Sequence, residues 1–300
     1  MTTRSTRTAA ALAALLAAGG ARAQSLALKP EVALYQDAKE SPLKAPEGVA
    51  CRDDGAVVVA DSGNGRLLRL TWKDGVLSAA TELKVAQVTA PSDVQLDETG
   101  AGFLVLDRKA KRIARVDPAG AFASWLDPKG ATRGSVVPVG FAVAPGGAVV
   151  VLDAAGSAVL VLDPDGAVRR QLPLPRDGAV FTAVAVAANG TVYVVDAIAA
   201  RIWSAPKDAT AFKPFTESLK GYMNFPAHLV TTARGVVAVD QNGSGLVVVG
   251  QNGSYLGRQL GMGWSAGSVY YPGQICVTGG GDVFVADRGN NRIQVFSAAR

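Results

Sequence analysis

The sequence has little of the residue types on which most enzyme sites depend. It contains one histidine and two cysteines in 300 residues, and aromatic residues make up only 6%. A single histidine excludes the H-E-x-x-H zinc motif, and neither a P-loop nor a C-x-x-C-H haem attachment is present. These absences argue against zinc-peptidase and nucleotide-hydrolase sites and exclude covalently bound haem.

Charge is also sparse, because Asp, Glu, Lys and Arg together make up 18% of the residues. The formal net charge is +5, but three arginines fall within the first 23 residues, which hold no acidic residue. The remaining chain is close to neutral and has no long basic run. We therefore predict that this protein does not bind nucleic acid.

The first 23 residues have the pattern of a secretory signal peptide. Arg4 and Arg7 precede an Ala/Leu run over Ala9–Ala18, and Ala21–Ala23 is a small-x-small cleavage sequence. The apolar run is too short for a membrane span. We predict cleavage after Ala23 and a periplasmic or secreted bacterial protein. We therefore expect no membrane span, and since no cysteine follows the cleavage point directly, we also expect no lipid anchor.

Six β-branched runs each end in a single aspartate, and these aspartates are spaced 46, 46, 43, 44 and 47 residues apart. This period is typical of a β-propeller, in which each repeat is one small antiparallel sheet. The 34 glycines suit short strands and tight turns. The six aspartates are Asp61, Asp107, Asp153, Asp196, Asp240 and Asp287.

The sixth repeat ends without a fourth strand, because only four residues follow Phe296. The segment Leu26–Tyr35 precedes the first repeat and has the apolar character of a strand. We predict that it forms the outer strand of the last blade and closes the ring. The sequence thus predicts an all-β chain with a signal peptide at 1–23 and a single six-bladed propeller domain at 24–300.

The repeats resemble NHL repeats. The resemblance rests on P-x-G-V-A at Pro46–Ala50, on V-V-V-A-D-S-G-N-G-R at Val57–Arg66 and on V-F-V-A-D-R-G-N-N-R-I-Q-V-F at Val283–Phe296. It extends from about Leu26 to the carboxyl terminus. It implies a recognition role, since such repeats usually bind proteins or ligands, while some relatives are lyases or lactonases.

Each repeat aspartate is interpreted as a structural group that accepts N–H bonds of its turn. In four repeats an arginine follows five residues later and is expected to pair with the aspartate or with a neighbouring blade. Ala158 and Gly245 take the place of this arginine in repeats three and five. The four arginines are Arg66, Arg112, Arg201 and Arg292.

Strand direction places the turns after the second strands and the longest loops on one face, which we call the upper face. We expect binding there, through a basic cluster, through loop aromatics and through residues near the channel. The alternatives are a solvated basic turn and aromatic rings that fill the grooves between blades. The candidates are Arg108, Lys109, Lys111, Arg112, Arg133, Tyr222, Phe225, His228, Trp264, Tyr270, Tyr271 and Arg288.

Aligning the repeats at their prolines puts Asp93, His228 and Gln274 at one depth of the channel, with Glu47 one residue earlier. Glu47, Asp93 and His228 are therefore candidate ligands for Ca²⁺ or Zn²⁺. The alternative is that His228 is a hydrogen-bonded wall residue and that no cofactor is present.

Cys51 and Cys276 lie on the first strands of repeats one and six, which are neighbours in a closed ring. They are either bonded across the seam or buried as free thiols.

The sequence favours a monomeric, exported, non-catalytic scaffold that binds another exported protein or a small ligand. The alternative is a metal-dependent propeller lyase or lactonase with its site at the channel mouth.

Overall fold

A computed structural model describes residues 28–97, 100, 102–131, 135–175 and 179–298. These residues form 25 strands and two short 3-10 turns, at Ser62–Asn64 and Arg288–Asn290. The predicted Arg133 and the signal peptide lie outside the described residues. Within the described part of the chain, no helix has the length and apolar character to cross a membrane.

The strands form six antiparallel sheets, one per blade. The first strand of the described residues is β1 (Leu28–Leu34), which belongs to the last blade. Blade one then contains β2 (Gly48–Cys51), β3 (Ala56–Asp61), β4 (Arg66–Lys73), β5 (Val76–Leu77) and β6 (Thr81–Leu83). Blade two contains β7 (Pro91–Leu96), β8 (Phe103–Asp107), β9 (Arg112–Val116) and β10 (Phe122–Trp125).

The remaining blades repeat this order from the channel outward. Blade three contains β11 (Pro138–Val143), β12 (Val149–Asp153), β13 (Ala158–Leu162) and β14 (Val168–Pro173). Blade four contains β15 (Phe181–Val186), β16 (Val192–Asp196), β17 (Arg201–Ala205) and β18 (Lys213–Pro214). Blade five contains β19 (Pro226–Thr232), β20 (Gly235–Asp240), β21 (Gly245–Gly250) and β22 (Tyr255–Gln259). Blade six contains β23 (Ile275–Val277), β24 (Asp282–Asp287) and β25 (Arg292–Ala298).

Both ends of the described chain meet in blade six, whose strand order is β1-β25-β24-β23. Strand β1 runs antiparallel to β25, with Leu28 opposite Ala298 and Leu34 opposite Ile293. This confirms the predicted all-β, six-bladed propeller and its closure by an amino-terminal strand.

A disulfide joins Cys51 to Cys276, whose Cα atoms are 5.8 Å apart. It connects the inner strands of blades one and six across the seam where the ring closes. The alternative prediction, that both cysteines are buried as free thiols, is therefore wrong.

The core lies between neighbouring blades, since the middle strands are covered on both faces. Val57, Val58, Val59 and Ala60 are consecutive and all buried. They face two different neighbours in alternation, because successive side chains of a strand point to opposite faces. Val57 and Val59 pack in one cluster with Phe284 of blade six, whereas Val58 and Ala60 pack against blade two.

The six repeat aspartates are buried at the upper end of their blades, with exposures of 2% or less. Most of them accept an N–H bond from the loop that leads into their own blade. Asp61 accepts such a bond from Lys44 at 2.8 Å, and Asp287 accepts one from Tyr270 at 2.8 Å. These carboxylates fix the loops of the upper face, on which any upper-face site depends.

The arginines that follow four of these aspartates have a less uniform role. Arg66 and Arg292 pair with their own aspartates at 2.7 Å. In blade two, however, Arg112 lies over the Trp125 ring, and in blade four Arg201 lies 3.6 Å from Glu217. The expected own-blade pair does not form in these two blades, because the outer strand or loop offers the guanidinium another partner.

A β-bulge follows the first residue of the innermost strand in blades two to five. Each bulge lies between the first and third residues of the strand, such as Pro91 and Asp93 in blade two or Pro226 and His228 in blade five. A bulge re-aims the side chains beside it. Here the bulged residues line the channel mouth; they are Ser92, Val139, Thr182 and Ala227.

Candidate functional site at the channel mouth

The upper mouth of the central channel opens into a cavity of about 510 Å³. All six blades contribute to its wall, and most of the residues that line it come from innermost strands or upper-face turns. Several are the predicted site residues, namely Glu47, Asp93, Arg108, Lys111, His228, Gln274 and Arg288. The structure thus brings two residues of the basic cluster of blade two, Arg108 and Lys111, into one site with the channel residues.

At the rim, one carboxylate lies between two guanidinium groups. Glu47 Oε2 is paired with Arg108 Nη2, and Glu47 Oε1 lies 3.2 Å from Arg288 Nε. The Glu47 side chain is 15% exposed, whereas those of Arg108 and Arg288 are 61% and 40% exposed. Burial and the neighbouring charge of Arg288 lower the pKa of Arg108. The rim keeps an excess of positive charge, because Lys111 also lines it.

Deeper in the channel, Gln274 crosses from blade six to blades one and two. Its Oε1 accepts N–H bonds from Val49 and Val94, both at 3.1 Å, and its Nε2 donates to Val94 O at 2.7 Å. A Cβ at Gly48 would lie 3.0 Å from Gln274 Oε1 and 2.9 Å from the Ala60 Cβ, so glycine leaves room for this side chain. Gln274 is therefore a structural cross-link, and its amide is occupied.

Asp93 lies at the same depth and faces the cavity. Its Oδ2 accepts an N–H bond from Phe141 of blade three at 3.3 Å. The blades enclose the carboxyl group, and this burial raises the pKa of Asp93 to about 7 despite the hydrogen bonds that favour its ionised form.

His228 lies across the channel on blade five and is 7% exposed. Burial lowers the pKa of His228 to about 4, so the imidazole is neutral at pH 7. Its Nδ1 atom is buried and has no hydrogen-bond partner among the described residues. Such an orphaned polar atom is unfavourable unless a ligand or water satisfies it.

The three predicted metal ligands share the cavity but do not form a metal site. Glu47 is engaged by two arginines, and within the described residues no group of three or more His, Cys, Asp or Glu side chains lies close enough to hold an ion. The arrangement of these residues does not fit a resident Ca²⁺ or Zn²⁺.

The basic cluster of blade two divides into two parts. Arg108 and Lys111 line the cavity, whereas Lys109 is exposed outside it and Arg112 is turned toward Trp125. Lys111 has a φ of 53°, and the left-handed conformation at this position shapes the turn.

The loop aromatics form two groups on the upper side of blades five and six. Tyr222 stacks on Tyr255 with ring centroids 3.8 Å apart. The rings of Trp264 and Tyr270 are 5.8 Å apart, and those of Tyr270 and Tyr271 are 4.7 Å apart. Trp264 is 73% exposed, so it does not fill a groove between blades. The backbone N–H of Phe225 donates to Asp240, in the loop that leads into blade five.

Residues 263–267 read G-W-S-A-G, which matches the G-x-S-x-G spacing of hydrolase nucleophile turns. That motif requires a strand-to-helix turn, but here it lies in the loop between β22 and β23. The Ser265 carbonyl accepts a hydrogen bond from Arg292, which fixes the loop. The match is therefore one of spacing alone.

A model of the NHL repeat matches residues 269–296, which include β23, β24 and most of β25. The protein is a six-bladed β-propeller that carries an NHL repeat. The matched repeat contains Gln274, Arg288 and the seam cysteine Cys276, so it contributes directly to the channel mouth. No curated protein matches the sequence of this NHL propeller.

Solved structures of several functions share the propeller fold. Virginiamycin B lyase from Staphylococcus aureus is 13% identical with a TM-score of 0.63, over 89% of this chain and 99% of the lyase. A gluconolactonase from Xanthomonas campestris is 16% identical with a TM-score of 0.65, over 88% of both chains. A chain of the nidogen/laminin complex is 17% identical with a TM-score of 0.56, over 73% of this chain and 81% of that one. At such identities the likeness shows the fold alone, and the function has to be argued from the site.

Proposed function

We propose that this NHL propeller binds a small organic anion at its channel mouth, and that the anion also carries a hydroxyl group. The observation that carries this proposal is the buried, unpartnered Nδ1 of His228 in a cavity whose rim holds Arg108 and Arg288. The cavity volume of about 510 Å³ lies in the range of small-molecule sites.

The rim supplies the anion-binding half of the site. Guanidinium groups bind carboxylate and phosphate through parallel N–H bonds. Arg108 and Arg288 already converge on the carboxylate of Glu47, which shows that a carboxylate fits between them. Both arginines also have exposed faces from which a ligand anion can approach.

The channel wall supplies the uncharged half of the proposed binding site. The Nδ1 atom of the neutral His228 imidazole is free to form a hydrogen bond. A ligand hydroxyl both donates and accepts, so it satisfies this nitrogen in either tautomer. A ligand that spans rim and wall is therefore a hydroxylated carboxylate or phosphate.

Calorimetric titration with three matched six-carbon probes tests this proposal: gluconate, hexanoate and sorbitol. We expect gluconate to bind more tightly than the two probes that lack either the hydroxyls or the charge. Arg288→Ala and His228→Leu should each weaken gluconate binding about tenfold, the loss expected for one hydrogen bond to a charged or buried group. Lys109→Ala is the matched control, since Lys109 lies in the same turn as Arg108 but outside the cavity. Equal binding of hexanoate, or no binding of gluconate, contradicts the proposal.

We propose that this binding needs no metal, because Glu47 is occupied by its two arginines. Dialysis against a chelator should leave the affinity for gluconate unchanged. A loss of affinity that Ca²⁺ or Zn²⁺ restores would instead assign Glu47, Asp93 and His228 as ligands.

A lyase or lactonase activity is the second candidate. It is favoured by the Asp93 carboxyl, whose pKa of about 7 suits proton transfer at neutral pH, and by the neutral imidazole of His228, which faces the same cavity and can form a hydrogen bond to a substrate. Release of acid from gluconolactone, measured with and without added divalent ions, tests it. Turnover that is lost in Asp93→Asn supports this candidate, and a rate equal to the uncatalysed hydrolysis removes it.

We also propose that the protein is exported as a monomer after removal of residues 1–23. The disulfide supports export, since disulfides persist mainly in oxidising compartments. Amino-terminal sequencing of the protein from the periplasm or medium should start at Gln24, and retention of the leader in cytoplasmic protein contradicts the proposal.

A further inference from the structure

The loop Gly263–Ser268 is held in place by buried polar side chains of blade six. Arg292 Nη2 donates to the carbonyl oxygens of Ser265 and Ser268, each at 2.9 Å. Gln294 Nε2 donates to Ser268 O at 2.7 Å, and Gln294 Oε1 accepts from the N–H of Gly267 at 3.2 Å. Arg292 and Gln294 are 2% and 1% exposed. The loop conformation is therefore set by the core of the blade.

This fixed loop displays an aromatic surface to solvent. Trp264 is 73% exposed, and Tyr271 is 37% exposed. The Tyr270 ring lies between them and contacts both rings. We call these three residues the aromatic platform. Because the backbone of this loop is held in place before binding, less conformational freedom is lost when a partner covers the Trp264 ring, and Trp and Tyr are enriched in binding hot spots.

The aromatic platform is joined directly to the cationic rim of the channel. The Tyr270 N–H donates to Asp287 Oδ1 and the Gly289 N–H donates to the Tyr270 carbonyl, both at 2.8 Å. Arg288 lies between these two anchor points. A Cβ at Gly289 would be 2.5 Å from Tyr270 Cδ1, which shows how closely the ring packs on the turn. The backbone of the platform is thus joined directly to the turn that carries Arg288.

The segment that carries the platform has almost no acidic residues, and the nearest carboxylate described at the rim, that of Glu47, is paired with Arg108 and Arg288. From residue 218 to residue 281 the chain has a single acidic residue, Asp240, which is 1% exposed and paired with Arg258. Arg108 and Lys111 add positive charge on the far side of the rim. A negatively charged partner on the platform therefore meets cations and no exposed carboxylate from these 64 residues.

We infer that the aromatic platform docks an acidic segment of another protein. An apolar side chain of that segment covers Trp264, and its carboxylates face Arg288 and Lys111. The aromatic platform does not line the channel cavity, whereas Arg288 and Lys111 do, so the inference concerns a second ligand that shares rim cations with the small anion proposed above.

Selection from a random peptide display library on the full, disulfide-bonded chain tests this inference. Enriched peptides should be rich in Asp and Glu and should contain at least one Leu or aromatic residue. The affinity of an enriched peptide should fall at least tenfold in Trp264→Ser and should be largely retained in Trp264→Phe. Val76→Ser is the matched control, since Val76 is 66% exposed on blade one, and it should leave the affinity unchanged.

Two results overturn the inference. The first is a set of enriched peptides without acidic bias, or with equal affinity for Trp264→Ser. The second is a loss of peptide affinity in His228→Leu, which would assign the peptides to the channel. Because His228→Leu tests the anion site and Trp264→Ser tests the platform, failure of one proposal is distinguishable from failure of the other.

Discussion

At the scale of single residues, the channel contains two ionisable groups whose pKa values are shifted in ways that oppose each other. Burial raises the pKa of Asp93 from 3.8 to about 7 and lowers that of His228 from 6.5 to about 4. Between about pH 4 and pH 6.5 the folded protein holds a proton on Asp93 that the unfolded chain has released. In the same range the unfolded chain gains a proton on its histidine that the folded protein lacks. The two contributions to the free energy of unfolding therefore oppose each other.

Asp93→Asn should expose the contribution of His228. We expect this variant to lose stability, relative to wild type, as the pH falls from 6.5 to 4, since protonation then favours the unfolded chain. Urea unfolding midpoints at several pH values measure the difference. A difference between the two proteins that does not change with pH contradicts the prediction.

His228→Asn should expose the contribution of Asp93, with the opposite sign. This variant should gain stability relative to wild type as the pH falls from 7 to 4, because the folded Asp93 carboxyl takes up a proton first. The same urea series checks this prediction. It fails if both variants shift in the same direction on acidification.

Part of the residue-level picture was predictable from sequence. Aligning the repeats placed Asp93, His228 and Gln274 at one depth because the repeat period is regular. The pairing of Glu47 with Arg108 and Arg288 was not predictable, since it joins side chains of three blades, the first, the second and the last along the chain. The same holds for Gln274, whose contacts cross the channel to Val49 and Val94.

At the scale of one blade, an arginine can be supplied from a different strand. Blade five has Gly245 where blades one and six have the arginine that pairs with the repeat aspartate. Arg258 of β22 fills this place, with Nη1 at 2.7 Å from Asp240 Oδ2. A Cβ at Gly245 would lie 2.8 Å from Arg258 Nη2. The sequence showed the missing arginine, but the compensation depends on the register of β21 and β22.

Arg258→Ala should lower the free energy of unfolding by about 3 kcal/mol, because it leaves the buried Asp240 carboxylate without its cation. Chemical unfolding measures the loss, and Arg234→Ala, in an exposed turn of the same blade, is the control. Adding Gly245→Arg to Arg258→Ala should recover part of the loss by restoring the arrangement of blade six. If the double variant is no more stable than Arg258→Ala, the two guanidinium positions are not equivalent.

At the scale of the whole molecule, the ring is closed twice at the same seam. Strand β1 completes blade six, and the disulfide joins the inner strands of blades one and six. The strand closure was predictable, because the last repeat visibly lacked one strand. The sequence alone allows both a disulfide and two free thiols, since the directions of two side chains on adjacent inner strands depend on local geometry.

Either closure alone, strand β1 or the disulfide, should keep the ring closed. Cys51→Ala with Cys276→Ala should lower stability by about 5 kcal/mol, as expected for a cross-link between residues 225 positions apart. A chain that starts at Tyr35 but keeps the disulfide should still unfold cooperatively. Combining both changes should cost more than the sum of the separate losses, because only then does the ring open. Calorimetric melting of the four proteins measures this, and simple additivity would contradict it.

The pairing of Leu28 with Ala298 makes the two ends of the described chain neighbours in space. A short linker could join them, and the polypeptide could be cut instead in a connection between two other blades. Such a circular permutant would keep every pairing of the ring while making blade six from consecutive residues. The order of blades from first to last is a property of the sequence, whereas in the closed ring each blade has a neighbour on both sides.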